Sequence, residues 1–227
     1  MAEIVVALDL PSASAALHLV DSLLGVRWVK IGPTLFLAGG PALVRELKAR
    51  GTKVFLDLKW HDIPHQVSGA VRAAVAAGVD LATVHALGGE EMMRSAVEAA
   101  AGSMRVVGVT VLTSLTPAAY GRAVGRRGEV GLQREVARLA RMAVGSGLHG
   151  VVVSPLEVAS VKKIVGEGGC VIVPGIRLPG TPDDDQQRTG EPAAAVRAGA
   201  THLVVGRPIT QAAEPQAVYQ RLCEAAT

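Results

Sequence analysis

Aromatic residues are scarce in this sequence: Phe, Trp and Tyr together make up 3% of its 227 residues. Proteins that hold single-stranded nucleic acid stack the bases on aromatic side chains. The lysines and arginines here are scattered, and the formal net charge is only +3. We therefore expect no nucleic-acid surface. A local site for an anion such as phosphate fits this charge better, and the core has to be built from Val, Leu, Ile and Ala.

Cysteines and long apolar runs are also few. Cys170 and Cys223 lie far apart and match no spacing of metal ligands or disulfides, so we interpret them as thiols in a reducing compartment. No apolar run approaches the roughly 20 residues that a membrane span needs. The first ten residues, MAEIVVALDL, lack the basic start and cleavage site of a signal peptide and look like a β-strand. We expect a soluble, cytoplasmic protein with no membrane partner.

The sequence does contain short β-branched runs that alternate with Ala/Leu-rich stretches of helical spacing. The runs are near-continuous in apolar character, as parallel strands covered on both faces should be. They occupy residues 3–10, 27–32, 53–59, 81–86, 104–112, 150–155, 170–176 and 201–208. The helical stretches include SASAALHLVDSLLG, PALVRELKARG, HQVSGAVRAAVAAG and LQREVARLARMAVGSG.

Eight such alternations predict an α/β fold, a (β/α)8 TIM barrel, formed by a single domain over residues 1–227. The alternative is a doubly wound open sheet for a dinucleotide, which would place G-x-G-x-x-G after the first strand, where this sequence reads LDLPSAS. The longest irregular stretches, 113–130 and 177–191, are candidate mobile loops over a site.

Polar residues gather at the C-terminal ends of these strands, the face where TIM barrels carry their active sites. In chain order they are Asp9, Lys30, Asp57, Lys59, His85, Thr113, Ser154, Arg177 and Arg207.

The third strand ends in DLKWHDIP, which contains the densest charges of this set. Asp57 and Lys59 are two residues apart and therefore share a face of the strand. If that face is the barrel axis, Lys30 can join them, and Asp62 completes a Lys–Asp–Lys–Asp array if it reaches back. Flanking carboxylates keep the lysines protonated. A substrate anion forced to 4 Å from a fixed carboxylate costs about 4 kcal/mol at an effective dielectric of 20, and losing CO2 would relieve that cost. The alternative is an ion-pair network that only stabilises the barrel.

A second cluster, VPGIR and VVGRPIT, lies at the ends of strands seven and eight. Phosphate sites in TIM barrels are commonly built from the loops after these two strands. Gly206 allows backbone N–H groups to approach an anion, and Arg207 can bind two phosphate oxygens. The alternative is a glycine turn beside a solvated arginine. We predict a phosphate site.

Three other polar groups receive no chemical role. A lone histidine such as His85 is typically a hydrogen-bonded structural group. His61 and His65 are assigned to the surface or an interface. The acidic run Asp183–Asp185 is expected to be solvated, because a metal cage needs converging ligands. We therefore predict no metal site.

Four motifs in order, DLKWHDIP, LTS, PGIR and GRPI, resemble those of the orotidine 5′-monophosphate decarboxylase family. The likeness runs from Asp9 to Arg207. D-x-K-x-x-D alone also occurs in sugar-phosphate decarboxylases and synthases of the same superfamily, whereas the four motifs together are specific. The resemblance implies a homodimeric barrel that decarboxylates orotidine 5′-monophosphate to UMP and CO2 in de novo pyrimidine biosynthesis, without cofactor or metal.

The resemblance also implies residue roles. Lys30, Asp57, Lys59 and Asp62 would form the catalytic array, with Asp62 supplied by the partner subunit. Asp57 would face the orotate carboxylate, and Lys59 would protonate C6 as CO2 departs. The implied substrate contacts are Asp9 and Lys30 on the ribose, Thr113 on the pyrimidine, Gln186 on base and phosphate, Arg177, Gly206 and Arg207 on the phosphate, and Ile63 and Gln66 across the dimer.

Two features depart from the family pattern. The DIP motif is commonly followed by Asn-Thr, and here His65-Gln66 follows, which places Gln66 at a substrate-contacting position. The arginine-bearing stretch 121–128, with Arg122, Arg126 and Arg127, matches no motif.

Two alternatives remain beside this function. A Mg2+-dependent sugar-phosphate decarboxylase or synthase would need acidic ligands at the strand ends, and Lys30 stands where a carboxylate would be preferred. A non-catalytic phosphate-binding barrel would keep PGIR and GRPI but could lose Asp57 or Lys59, both of which are present.

Overall fold

The computed structural model describes residues 1–126, 130–178 and 188–227. Its centre is a closed barrel of eight parallel strands arranged in sequence order, with β8 pairing β1. The strands are β1 (Glu3–Ala7), β2 (Trp28–Ile31), β3 (Lys53–Trp60), β4 (Leu81–His85), β5 (Arg105–Val109), β6 (Gly150–Val152), β7 (Cys170–Val173) and β8 (His202–Val205). The predicted (β/α)8 fold is confirmed.

Helices connect consecutive strands on the outside of the barrel, and α9 and α10 follow the last strand. Those of the described ranges are α1 (Ala13–Ser22), α2 (Pro33–Ala49), α3 (Pro64–Ala77), α4 (Gly89–Ala100), α5 (Pro117–Ala123), α6 (Leu132–Gly145), α7 (Val158–Val165), α8 (Pro192–Arg197), α9 (Arg207–Thr210) and α10 (Pro215–Ala225). Short 3-10 turns precede α4 and α7, at Ala86–Gly88 and Pro155–Glu157. None of these helices is long and apolar enough to cross a membrane.

The hydrophobic core has two layers, because each strand is covered on both faces. Side chains that alternate along the strands, such as Val5, Ala7, Phe55, Leu81 and Ile172, fill the barrel interior. Their neighbours, such as Val6, Val54 and Ala82, pack outward against the helices. Both layers use few aromatic residues, as the composition predicts.

Seven of the eight strands are shorter than predicted, mostly at their C-terminal ends, whereas β3 extends one residue further, to Trp60. Residues 3–10 and 104–112 were predicted, and Glu3–Ala7 and Arg105–Val109 are observed. The apolar pattern continues beyond the ladder because the residues that follow still pack at the mouth of the barrel. Those residues carry the polar groups described below.

Two connections differ from the sequence prediction. Helix α2 begins at Pro33, eight residues before the predicted stretch, and bends at Gly40, whose φ of 54° breaks the helical pattern. The stretch 113–130 is not irregular throughout, because it contains α5, whose first turn is capped by the Thr116 side chain and begins with Pro117. Thr-Pro is the local signal that the prediction overlooked.

Candidate active site

A cavity of about 240 Å3 opens at the C-terminal ends of the strands. Apolar side chains of the barrel interior, including Phe55, Ile172 and Val204, form part of its lining. Its polar lining contains eight of the residues predicted from sequence: Asp9, Lys30, Asp57, Lys59, Thr113, Arg177, Gly206 and Arg207. Asp9 and Arg207, which are 198 positions apart in the chain, thus line one pocket. They meet because each of these residues lies at or just after the C-terminal end of a barrel strand.

Asp57 is the centre of the charged part of this cavity. Its carboxylate lies 2.9 Å from Lys59 Nζ and 3.6 Å from Lys30 Nζ. Lys30 Nζ in turn donates to Asp9 Oδ1 at 3.2 Å. The side chains of Asp57 and Lys30 are 13% and 11% exposed, whereas that of Lys59 is 38% exposed. The structure therefore contains an Asp9–Lys30–Asp57–Lys59 chain whose two central members are buried and whose two end members are open to solvent.

The backbone of β3 is irregular where it carries Lys59. The pairing of β3 with β4 shifts register between Leu56 and Trp60, and Lys59 has a φ of 51°. Its N–H donates to the Thr83 hydroxyl at 2.8 Å. The predicted proximity of Asp57 and Lys59 is confirmed, but a left-handed bulge, not simple alternation, produces it. A non-glycine residue held there costs about 1–2 kcal/mol, and such strain clusters at functional sites.

Thr83 is a site residue that the sequence reasoning missed. It is fully buried, and its hydroxyl donates to Asp57 Oδ1 at 3.0 Å while accepting from the Lys59 N–H. The signal was available, since Thr83 lies between Leu81 and His85 on the inward face of β4. A threonine at an otherwise apolar interior position indicates a polar partner.

Gly32 is a second missed residue. A Cβ atom there would lie 3.3 Å from Asp9 Oδ1 and 3.4 Å from Lys30 Nζ. The glycine therefore leaves room for this ion pair, which a side chain would crowd.

Charge, rather than burial, decides the ionisation of Asp57. Burial alone would raise the pKa of its carboxyl group, but the Lys30 and Lys59 ammonium groups and hydrogen bonds from Lys59 and Thr83 outweigh burial and lower it. At neutral pH the cavity thus presents a fixed carboxylate with an ammonium group on each side.

His85 stays neutral beside this array. Burial, with smaller contributions from His61 and Lys59, lowers the pKa of His85 to about 4. Its Nδ1 accepts from the Leu87 N–H at 3.2 Å, and its ring stacks on His61 at 5.4 Å between centroids. The predicted hydrogen bonding of His85 is confirmed.

The two arginines follow β7 and β8. In the closed ring β7 lies opposite β3, whereas β8 pairs with β1, the strand that precedes Asp9. Gly175, Arg177, Gly206 and Arg207 line the cavity. Gly175 has a φ of 77°, a conformation that favours glycine. Backbone hydrogen bonds join Gly175 and Arg177 to Gly190 at 3.1 and 3.0 Å.

Three predicted residues are not part of the cavity in this chain. Asp62 is exposed, and its carboxylate accepts from the adjacent Ile63 N–H at 2.7 Å instead of reaching back to Lys59. Ile63 is 63% exposed, and Gln66 is also on the surface. The array of a single chain therefore ends at Lys59. Gln186 and Asp183–Asp185 lie outside the described residues.

Two further predicted polar residues have structural partners. Ser154 is buried and bonds to Glu157, so it does not line the cavity. Arg126, from the stretch that matched no motif, pairs with buried Glu135 at 3.4 Å, as does Arg138 at 2.7 Å. Across residues 1–126, 130–178 and 188–227, no three His, Cys, Asp or Glu side chains cluster in a way that could hold a metal ion.

Comparison with known proteins adds independent information. Residues 2–222 match the model of the orotidine 5′-phosphate decarboxylase / HUMPS family. The chain is 50% identical over 212 residues to the orotidine 5′-phosphate decarboxylase of Anaeromyxobacter sp. (strain K), covering 93% of this chain and 92% of that protein. It is 45% identical over 221 residues to the enzyme of that name from Nitrosospira multiformis, covering 96% and 91%.

A solved structure is also similar along the whole length. The crystal structure of orotidine 5′-phosphate decarboxylase from Lactobacillus acidophilus superposes with a TM-score of 0.88 at 33% identity, covering 100% of both chains.

Proposed function

The chain belongs to the orotidine 5′-phosphate decarboxylase / HUMPS family and decarboxylates orotidine 5′-monophosphate in pyrimidine biosynthesis; we propose that it does so without a cofactor, with Lys59 as the proton donor. One observation carries the proposal. Asp57 is held as a carboxylate between two ammonium groups, in a cavity that Arg177 and Arg207 also line.

Substrate binding would use both sides of the cavity. Arg177, Gly206 and Arg207 would bind the phosphate, because guanidinium and backbone N–H groups are good donors to phosphate oxygens. Asp9 and Lys30 would hold the ribose hydroxyls. Thr113 would contact the pyrimidine, and Gln186 would bridge base and phosphate.

Decarboxylation would follow from the charge at Asp57. Phosphate binding at a distance would press the orotate carboxylate toward Asp57, and two such charges at 4 Å repel by about 4 kcal/mol at an effective dielectric of 20. The bond between C6 and the carboxylate breaks, CO2 leaves, and the electron pair stays on C6.

Lys59 would then supply the proton. Its Nζ–H bond breaks as a bond from hydrogen to C6 forms, which gives UMP and leaves a neutral amine. Because the side chain of Lys59 is 38% exposed, solvent can return the proton. The adjacent Lys30 and Lys59 charges stabilise the developing carbanion, for which no cofactor acts as an electron sink.

We also propose a homodimer in which each site is completed by its partner. Asp62, Ile63 and Gln66 lie on the surface beside the cavity strand β3 rather than in the cavity of their own chain. Within each subunit, we propose that residues 1–227 form one decarboxylase domain.

The carboxylates of the cavity argue against a magnesium-dependent sugar-phosphate enzyme, the alternative function. Asp9 and Asp57 are the carboxylates at the strand ends beside Lys30, and the Lys30 ammonium group lies within 3.2 and 3.6 Å of them. A cation already occupies the position between the two potential ligands.

The test is the loss of orotidine 5′-monophosphate absorbance with purified protein, with and without EDTA. We expect turnover that EDTA does not change. No turnover by folded protein would contradict the proposed function, and turnover that EDTA abolishes would contradict its independence of metal. In the first case Mg2+ and a keto-sugar phosphate would be tested next.

A further inference from the structure

A buried ion pair lies directly behind the cavity wall. Arg188 Nη1 lies 2.6 Å from Glu157 Oε1, and the two side chains are 9% and 3% exposed. Neither residue lines the cavity, and neither carries a role in the mechanism described above. A buried ion pair is by itself weak evidence for stability, because desolvation of both charges offsets their attraction.

The guanidinium group of Arg188 reaches the wall that follows β5. Its Nη2 donates to the carbonyls of Val111 and Leu112, at 3.1 Å each. Val111, Leu112 and the next residue, Thr113, all line the cavity. Arg188 therefore holds the backbone from which the proposed pyrimidine contact projects.

Glu157 connects the same pair to the end of β6. Its second carboxylate oxygen, Oε2, accepts from the Ser154 N–H at 3.1 Å and from the Ser154 hydroxyl. Ser154 and Glu157 thus form a capping box for the 3-10 turn Pro155–Glu157. The carboxylate is thus fixed on a rigid turn and presents its other oxygen to Arg188.

The segment that carries Arg188 also reaches the arginine side of the cavity. Gly190, two residues later, exchanges backbone hydrogen bonds with Gly175 and Arg177. A Cβ atom on Gly190 would lie 2.5 Å from Pro155 Cβ, so this segment packs closely against the turn that carries Glu157. The ion pair therefore joins the ends of β5, β6 and β7 behind the cavity.

From this geometry we propose that Arg188 and Glu157 are positioning residues for decarboxylation. They set the distance between Thr113, on the wall after β5, and Arg177, on the wall after β7. This inference rests on the proposed function. A displacement of about 1 Å in such a wall can lower a rate by about 100-fold.

The main test is the double variant Arg188→Met/Glu157→Gln. It removes both charges, whereas either single change would leave one buried charge unpaired. We expect a folded protein, by circular dichroism and thermal melting, with kcat/KM for orotidine 5′-monophosphate lowered by about 100-fold. A folded double variant with wild-type kcat/KM would overturn the proposal.

If the double variant does not fold, the single variant Arg188→Lys provides the test. Lysine retains the charge opposite Glu157 but cannot also reach both carbonyls with a planar fork. We expect lowered kcat/KM in a folded protein, and Thr113→Ala should then cost less in the Arg188→Lys background than in the wild type. Unchanged kcat/KM, or strictly additive effects of the two substitutions, would refute positioning through Thr113.

The matched control is Glu135→Gln/Arg138→Met. This pair also combines a buried carboxylate with an arginine, at 2.7 Å, but neither residue lines the cavity. Its kcat/KM should equal that of the wild type. Because the wild type is assayed in parallel, absence of turnover there would contradict the proposed function itself, and a loss confined to the Arg188 and Glu157 variants supports positioning.

Discussion

At the scale of single residues, the central feature of the cavity is a carboxylate that stays charged, and we propose that it faces the substrate anion. Asp57 is mostly buried, yet its pKa is lowered, because two ammonium groups and the Thr83 hydroxyl all favour the ionised form. The types of these charged residues and their position in DLKWHDIP were readable from sequence. The alternation of β4 indicates that Thr83 needs a polar partner, but not that the partner is Asp57, which is 26 residues away in the chain.

Lys59→Ala tests the proton donor. Losing a general acid lowers turnover by about 10²- to 10⁴-fold, and the loss of an ammonium group beside Asp57 should make the effect at least this large. Steady-state absorbance assays measure it, with Lys53→Ala at the opposite end of β3 as the control. Near-normal activity of the Lys59 variant would remove this residue from its role.

Thr83→Val tests the role of the buried Thr83 hydroxyl group. The substitution preserves the shape of the side chain but removes its hydrogen bond to the Asp57 carboxylate. A hydrogen bond to a charged group contributes about 1.5–3 kcal/mol, so we expect kcat/KM to fall by about 10- to 100-fold. Thr83→Ser should keep most activity. Thr52→Val removes another buried hydroxyl, bonded to the Leu47 carbonyl away from the cavity, and should keep full activity. Equal activity of all variants would show that Thr83 does not support Asp57.

At the scale of elements, the strand ends carry the polar residues that line the cavity, and the strand interiors form the barrel. The eight strands were predictable because apolar, β-branched runs are a local property of the sequence. Except for β3, their ends were predicted too far along the chain, because burial at the barrel mouth continues after pairing stops. The bulge at Lys59 was not predictable, since it depends on the hydrogen bond to Thr83 on the neighbouring strand.

Arg207→Ala tests whether Arg207, the first residue of α9, binds the phosphate. Removing a charge-assisted contact to phosphate costs about 1.5–3 kcal/mol, so KM should rise and kcat/KM should fall by about 10- to 100-fold. Arg197→Ala, an exposed arginine in α8, is the control. An unchanged KM for the Arg207 variant would exclude it from phosphate binding.

At the scale of the whole molecule, the structure shows a closed barrel whose cavity lacks Asp62 when one chain is considered alone. The resemblance to a homodimeric family predicts that a second copy supplies this residue. This prediction has a direct test in mixed subunits.

Inactive Lys59→Ala and Asp62→Ala proteins should regain activity when their subunits exchange. Each hybrid dimer would contain one site with both residues intact, so an equal mixture should reach about one quarter of wild-type activity. Subunit exchange is verified with differently tagged chains. A mixture that exchanges yet stays inactive would show that Asp62 acts within its own chain or not at all.

Stability should depend on pH through the buried histidine at the other end of the barrel. Burial, then the Arg105 and Lys53 charges, lower the pKa of His202 to about 4, and the residue is 7% exposed. The folded state therefore binds fewer protons than the unfolded state between pH 6.5 and about 4. The free energy of unfolding should fall by about 3 kcal/mol from this group as pH drops through that range.

Urea unfolding at several pH values measures this dependence. His202→Phe keeps an aromatic ring next to Trp28 and should make the curve less steep between pH 6.5 and about 4, where only the contribution of His85 then remains of these two histidines. His18→Gln alters an exposed histidine and should leave the curve unchanged. An equally steep curve in the His202 variant would refute the assignment. Loss of stability below that range is expected from Asp57, whose lowered pKa acts at more acidic pH.

The sequence by itself determined the number of strands, the barrel they form, and which charged residues stand at their ends. These properties follow from apolar patterning and residue type, which act over a few neighbouring positions. Only the tertiary structure decided that Lys59 adopts a left-handed backbone, that Thr83 supports Asp57, and that Arg188 meets Glu157 across 31 residues. Such contacts join side chains that become neighbours only when the barrel closes, so no local pattern in the chain specifies them.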